Sequence, residues 1–129
     1  MKPVSRLLIP AVVLVLSLTV SASPVRHFSL VKSSPVKDQK FDAAAAPTRL
    51  QLWFSESPAA PASQIVLKRD AVDVALGKLI VVAKEKSIYT DPVKPLEPGA
   101  YTLTWRAAGD DGHVMSGDVK FSIVPKGTP

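Results

Sequence analysis

The sequence predicts an all-β protein: an antiparallel β-sandwich of about seven strands, carried behind an export signal. Three observations predict it. Apolar and polar residues alternate with a period of two over residues 49–54, 101–106 and 118–123, the mark of half-buried strands. Proline- and glycine-rich turn segments recur between such stretches, and no long segment shows helical periodicity. That combination indicates two packed sheets.

The chain has 129 residues, enough for one domain. Lys2 and Arg6 give it a basic start, and residues 7–20 form an apolar run of signal-peptide type. Pro10 interrupts that run, which is shorter than the ~20 residues of a bilayer span. Ser21, Ala22 and Ser23 follow, so cleavage is expected after Ala22. The expected organisation is a signal peptide over residues 1–22 and one domain over residues 23–129. No second apolar run follows, so the mature form is expected to be soluble.

Within the domain, residues 28–33 read as a first strand, closed by Ser34-Pro35, because the residue before proline is held extended. Residues 36–47 read as irregular. The alanines at 43–46 offer a helical turn that Pro47 would stop. In residues 49–54, Leu50, Leu52 and Phe54 face one way and Arg49, Gln51 and Trp53 the other. Pro58 and Pro61 make residues 55–63 a loop. Residues 64–69 and 78–83 read as strands, and residues 70–77 are ambiguous between them. Pro92, Pro95 and Pro98 make residues 90–99 a connection. Tyr101, Leu103 and Trp105, then Val119, Phe121 and Ile123, supply the inward faces of the last two strands. Residues 107–117 lie between them as a loop with Gly-Asp-Asp-Gly-His at 109–113.

Composition excludes several function classes. The chain has no cysteine, so disulfides and thiolate metal sites are ruled out. Loss of Lys2 and Arg6 takes the formal charge from +5 to +3. There is neither a basic run nor interleaved aromatics, so no nucleic-acid partner is expected. No nucleophile motif, phosphate loop or zinc-protease helix is present.

The only two histidines are His27 and His113. Asp111 precedes His113 by two residues, a spacing that puts both side chains on one side of an extended segment. A carboxylate and an imidazole can then share one ion, and such nitrogen and oxygen donors suit Cu(II). Asp-Asp-Gly is equally ordinary turn chemistry, with an incidental exposed histidine beside it. Met115 is the only sulfur beyond Met1. It reads as a packing residue, with a place in a mixed site as the alternative. Glu56 reads as a loop carboxylate.

The order of these motifs carries a resemblance. His27-Phe28-Ser29-Leu30-Val31-Lys32-Ser33-Ser34-Pro35 is followed by Pro-Thr-x-Leu-x-Leu-x-Phe-Ser-Glu at 47–56 and Leu-x-Pro-Gly-x-Tyr-Thr-Leu-x-Trp-Arg at 96–106. Asp-Gly-His at 111–113 and Ser-Gly-x-x-x-Phe at 116–121 complete the series. Over residues 27–124 the chain resembles the CopC-type periplasmic copper resistance domain. The resemblance implies an immunoglobulin-like Greek-key sandwich and a Cu(II) site made by His27, Asp111 and His113, with Glu56 as a possible minor contributor. It implies copper buffering or delivery in the periplasm, with a CopD-like inner-membrane copper permease as partner. The family's methionine-rich Cu(I) loop has no counterpart in residues 57–99, so a Cu(II)-only version of the domain is expected. The family's first histidine often is the mature N-terminus, so that its amine also binds copper. Here Pro24-Val25-Arg26 intervene between the expected cut and His27, and a further trim after Arg26 would restore that chelate.

The leading expectation is therefore a copper-binding protein and not an enzyme. The alternative is an exported immunoglobulin-like interaction module without a functional metal site. A copper enzyme is a third reading, since an N-terminal histidine chelate plus a second histidine is also the donor set of an oxidative copper site.

Overall fold

A computed structural model describes residues 27–127. The expected signal peptide, residues 1–22, lies outside the described residues. Among the described residues, no helix is long and apolar enough to cross a membrane.

Nine strands form: β1 (Leu30–Ser34), β2 (Gln39–Asp42), β3 (Leu50–Phe54), β4 (Gln64–Arg69), β5 (Val72–Asp73), β6 (Ile80–Val82), β7 (Ser87–Thr90), β8 (Gly99–Ala108) and β9 (Val114–Val124). They make two sheets, ordered β1-β3-β7-β6 and β2-β9-β8-β4-β5. The chain crosses between the sheets five times and so builds both layers together.

Alternation decides which side chains fill the space between the layers. Leu50, Leu52 and Phe54 of β3 are buried, as are Tyr101, Leu103, Trp105 and Ala107 of β8 and Val119, Phe121 and Ile123 of β9. Burial of each large aliphatic or aromatic side chain contributes about 1.5–3 kcal/mol. The polar residues between them face outward. Trp53 lies half-buried on the outer face with the Lys32 ammonium 4.5 Å from its ring. Tyr101 is buried, yet its hydroxyl donates to the Glu97 carbonyl four residues upstream. This corner bond is a recurrent device of immunoglobulin-like sandwiches. Burial raises the phenol pKa, and the nearby Arg69 guanidinium opposes that shift.

Three elements depart from the expectations. The irregular stretch 36–47 contains β2, which pairs in parallel with β9, so the second sheet is mixed. A strand that arrives by crossing from the other sheet is not bound to the antiparallel direction a hairpin imposes. The four-alanine tract does form a turn, a 3₁₀ helix at Ala43–Ala45 capped by the Asp42 carboxylate. The ambiguous stretch 70–77 contains the two-residue β5.

The third departure is β7, a central strand that the sequence does not advertise. It is short and begins and ends on the buried polar residues Ser87 and Thr90. Their partners come from elsewhere: Gln51 Nε2 donates to Ser87 Oγ at 3.1 Å, and Thr90 Oγ1 donates to the Gly77 carbonyl at 2.9 Å. Satisfied in this way, buried hydroxyls carry little penalty.

The β8–β9 hairpin dominates the second sheet. Its register runs from Gly99 opposite Ile123 to Ala108 opposite Val114. It therefore carries residues 109–113 out at one end of the sandwich.

Candidate metal centre

Residues 109–113 turn tightly at the hairpin tip. The Gly112 amide donates to the Gly109 carbonyl at 3.1 Å, and Gly112 itself has φ of 76°, a region glycine enters without steric cost. The next bonds organise the two expected ligands. Asp111 Oδ1 accepts from the His113 amide at 3.0 Å, and Asp111 Oδ2 lies 2.9 Å from His113 Nδ1. An ionised carboxylate only accepts, so Nδ1 carries the proton and Nε2 presents a free lone pair. The ring bond and then the backbone bond from His113 hold the Asp111 pKa below the usual carboxylate range. Both side chains remain open to solvent, His113 at 82% and Asp111 at 44%.

This pair fits a divalent ion. It offers one imidazole nitrogen and one carboxylate oxygen within 2.9 Å of each other, a donor set that suits Cu(II). Each carboxylate oxygen also keeps a second lone pair.

His27 comes to the same end of the sandwich by a different route. Phe28 is buried and stacks on Phe54, with ring centroids 4.9 Å apart. The Ser55 hydroxyl donates to the His27 carbonyl at 3.2 Å and accepts from the Ser29 amide at 2.9 Å. The Ser55 amide donates to the Ser29 carbonyl at 2.9 Å. The backbone of His27 is thereby pinned beside the end of β3, with the residue itself exposed.

Glu56 follows Ser55 directly, and its carboxylate rests against Gly109, where Phe28 also packs. Three separate segments thus meet where the 109–113 loop begins. Of the expected ligands, the structure brings Asp111 and His113 into direct contact and places His27 and Glu56 at the same end. Among the described residues, no three His, Asp or Glu side chains converge on one ion position.

Sequence reasoning missed two supporting residues. Ser55 fixes His27 through the backbone, and its signal was its place in Phe-Ser-Glu. Gly109 leaves room for the Glu56 carboxylate, and nothing local to residue 109 announces that. A Cβ at Gly109 would lie 2.9 Å from Phe28 Cδ2 and would overlap the Glu56 carboxylate. Gly109→Ala is therefore expected to cost about 1–3 kcal/mol, read by urea unfolding. It should also displace the His27–Phe28 segment and weaken metal binding in titrations.

The expectation that Met115 packs inside is corrected. It pairs with the buried Ala107 across the hairpin but is itself 43% exposed.

The family model of the CopC domain matches residues 30–124. The chain belongs to the CopC family. Copper resistance protein C of Xanthomonas campestris pv. juglandis is 32% identical over 119 residues, covering 87% of this chain and 91% of that one. Copper resistance protein C of Pseudomonas syringae pv. tomato is 30% identical over 111 residues, covering 81% and 86%. Among solved structures, PcoC, described as a methionine-rich copper resistance protein from Escherichia coli, superposes with a TM-score of 0.67. It is 30% identical, with 77% of this chain and all of that chain covered. CopC from Methylosinus trichosporium OB3b superposes with a TM-score of 0.69 at 24% identity, over 80% of this chain and 99% of that one, which supports the CopC sandwich as the shared fold. This CopC chain departs from a methionine-rich relative in having only Met1 and Met115.

Proposed function

We propose that this CopC-family protein binds Cu(II) in the bacterial periplasm and buffers it or passes it to an inner-membrane permease of CopD type. The observation that carries this reading is the Asp111–His113 pair, a carboxylate and an imidazole held in contact at the hairpin tip, the nitrogen and oxygen donors that suit a tetragonal Cu(II) ion. The copper resistance names of its relatives agree with it. His27 supplies the third ligand, held by Ser55 and Phe28 at the same end, and Glu56 stands beside the loop as a minor contributor. The protein acts as a carrier and not as an enzyme. Its donors sit on an exposed loop end, where cargo can be loaded and released.

Electron paramagnetic resonance on the protein secreted from its own signal peptide tests this reading, with the intact mass recorded alongside. A stoichiometric type 2 signal with nitrogen couplings, lost in His27→Ala or His113→Ala, supports it. The mass shows whether His27 is the first residue and so whether its amine takes part. Weak copper unchanged by either substitution would sink it and favour the interaction-module reading.

The site should also respond to pH. Protons compete with copper for imidazole nitrogen, which titrates near ~6.5 in model peptides. Asp111 has a lowered pKa. Its contribution is therefore present above the ordinary carboxylate range and is lost only as pH falls through its still lower folded value. Across pH 7.5 to 5 Asp111 stays charged, so the expected drop in affinity belongs to the imidazoles. Equal affinities at the two pH values in a competition titration would contradict imidazole ligation.

A further inference from the structure

Met115 is the one sulfur atom in the described residues, and it is not used in the core. It lies two residues beyond His113, which immediately precedes β9, and with the extended Val114 between them the two side chains project to the same side. That side is the inward one: Met115 pairs with Ala107, and two residues further on Gly117 lies under the Trp105 ring. Met115 itself stays 43% exposed. His113 meanwhile has Nδ1 engaged by Asp111, which leaves Nε2 as its free donor.

We propose that His113 Nε2 and Met115 Sδ together form a Cu(I) site, so that the hairpin tip holds copper in its reduced state as well. The inference rests on the copper-binding reading above and deepens it to a second oxidation state. The physical basis is a division of donors by softness. The carboxylate of Asp111 is a hard ligand that favours Cu(II), whereas a thioether is soft and favours Cu(I). Low coordination numbers suit Cu(I), so an imidazole and a thioether already make a usable pair. In this arrangement Asp111 stays hydrogen-bonded to Nδ1–H, orienting the ring and raising the basicity of Nε2, as carboxylates behind metal-bound histidines do. The two oxidation states thus use the two sides of one imidazole: Nδ1 with Asp111 for Cu(II), Nε2 with Met115 for Cu(I). No electron transfer is part of the proposal, and Cu(I) is taken up as such.

The test uses the secreted protein under anaerobic conditions, with Cu(I) supplied against a chromophoric Cu(I) chelator. Met115→Leu keeps the size and apolar character of the side chain on an exposed position. It should weaken Cu(I) binding by at least about tenfold, the scale on which even supporting groups act at metal sites. Its Cu(II) resonance spectrum should be unchanged. In parallel, the Met115 methyl resonance of the unmodified protein should shift when Ag(I), a redox-inert stand-in for Cu(I), is added. Cu(I) affinity equal in Met115→Leu and the unmodified protein, with the methyl resonance unmoved, would overturn the inference. If Cu(II) binding persists in that case, the carrier reading survives alone. If neither oxidation state binds stoichiometrically, both fall together.

Discussion

His113→Ala should abolish the stoichiometric Cu(II) signal and lower copper affinity by at least about 100-fold, the upper end of what loss of even an outer-shell partner costs at metal sites. The imidazole of His113 is the hub of the hairpin tip. Its amide and its Nδ1 both bond Asp111, so removing the ring deletes one donor and one of the two bonds that hold the other. The fold should not notice. The side chain is 82% exposed, and substitutions at such positions stay within about 0.5 kcal/mol. Asp111→Asn provides the graded comparison, since it keeps the imidazole but loses the charge and half of its acceptor capacity. Its affinity should fall between the two, by about 10- to 100-fold. Isothermal or competition titration of both variants, with urea unfolding as control, reads the outcome. A His113→Ala protein that still binds one Cu(II) with unchanged couplings would place the site elsewhere.

Trp105→Ala is expected to have the largest effect on stability, about 3–5 kcal/mol, a substantial share of the ~5–15 kcal/mol that holds a small domain folded. Trp105 is 6% exposed and links the layers. Its ring meets Phe54 edge-on at 5.4 Å, Phe54 stacks on Phe28 at 4.9 Å, and Gly117 lies beneath the indole. This aromatic column runs from β9 through β8 and β3 to the residue next to His27. Its loss should therefore lower copper affinity as well as stability, although Trp105 is not one of the proposed ligands. Trp105→Phe keeps an aromatic in the column and should recover much of both. A loss under about 1 kcal/mol in Trp105→Ala, read by urea unfolding, would contradict the column as the support of this end.

Long regular strands were the legible part of the fold. Residues 64–69 were read with the bounds of β4, and the alternations in β3, β8 and β9 identified their buried faces. Short strands were not. β2 and β5 carry too few residues to show a period, and the buried hydroxyls of β7 look like turn residues until Gln51 and Gly77 come within bonding distance. In the site, Asp111 and His113 were legible because two residues of separation fix their relation locally. Ser55 and Gly109 were not, because their partners stand far along the chain.

The sequence by itself determined the sandwich class, the absence of thiol chemistry, the Asp-Gly-His donor pair and the resemblance to CopC domains. All of these depend on local alternation, composition or order along the chain. Tertiary structure alone decided that β2 runs parallel to β9, that β7 is central, and that His27, Glu56 and residues 109–113 share one end. It also showed Met115, expected as a packing residue, to be exposed. The physical reason is the same in each case: these properties depend on which distant groups satisfy or cover a residue, and that is set only when the two sheets close on each other.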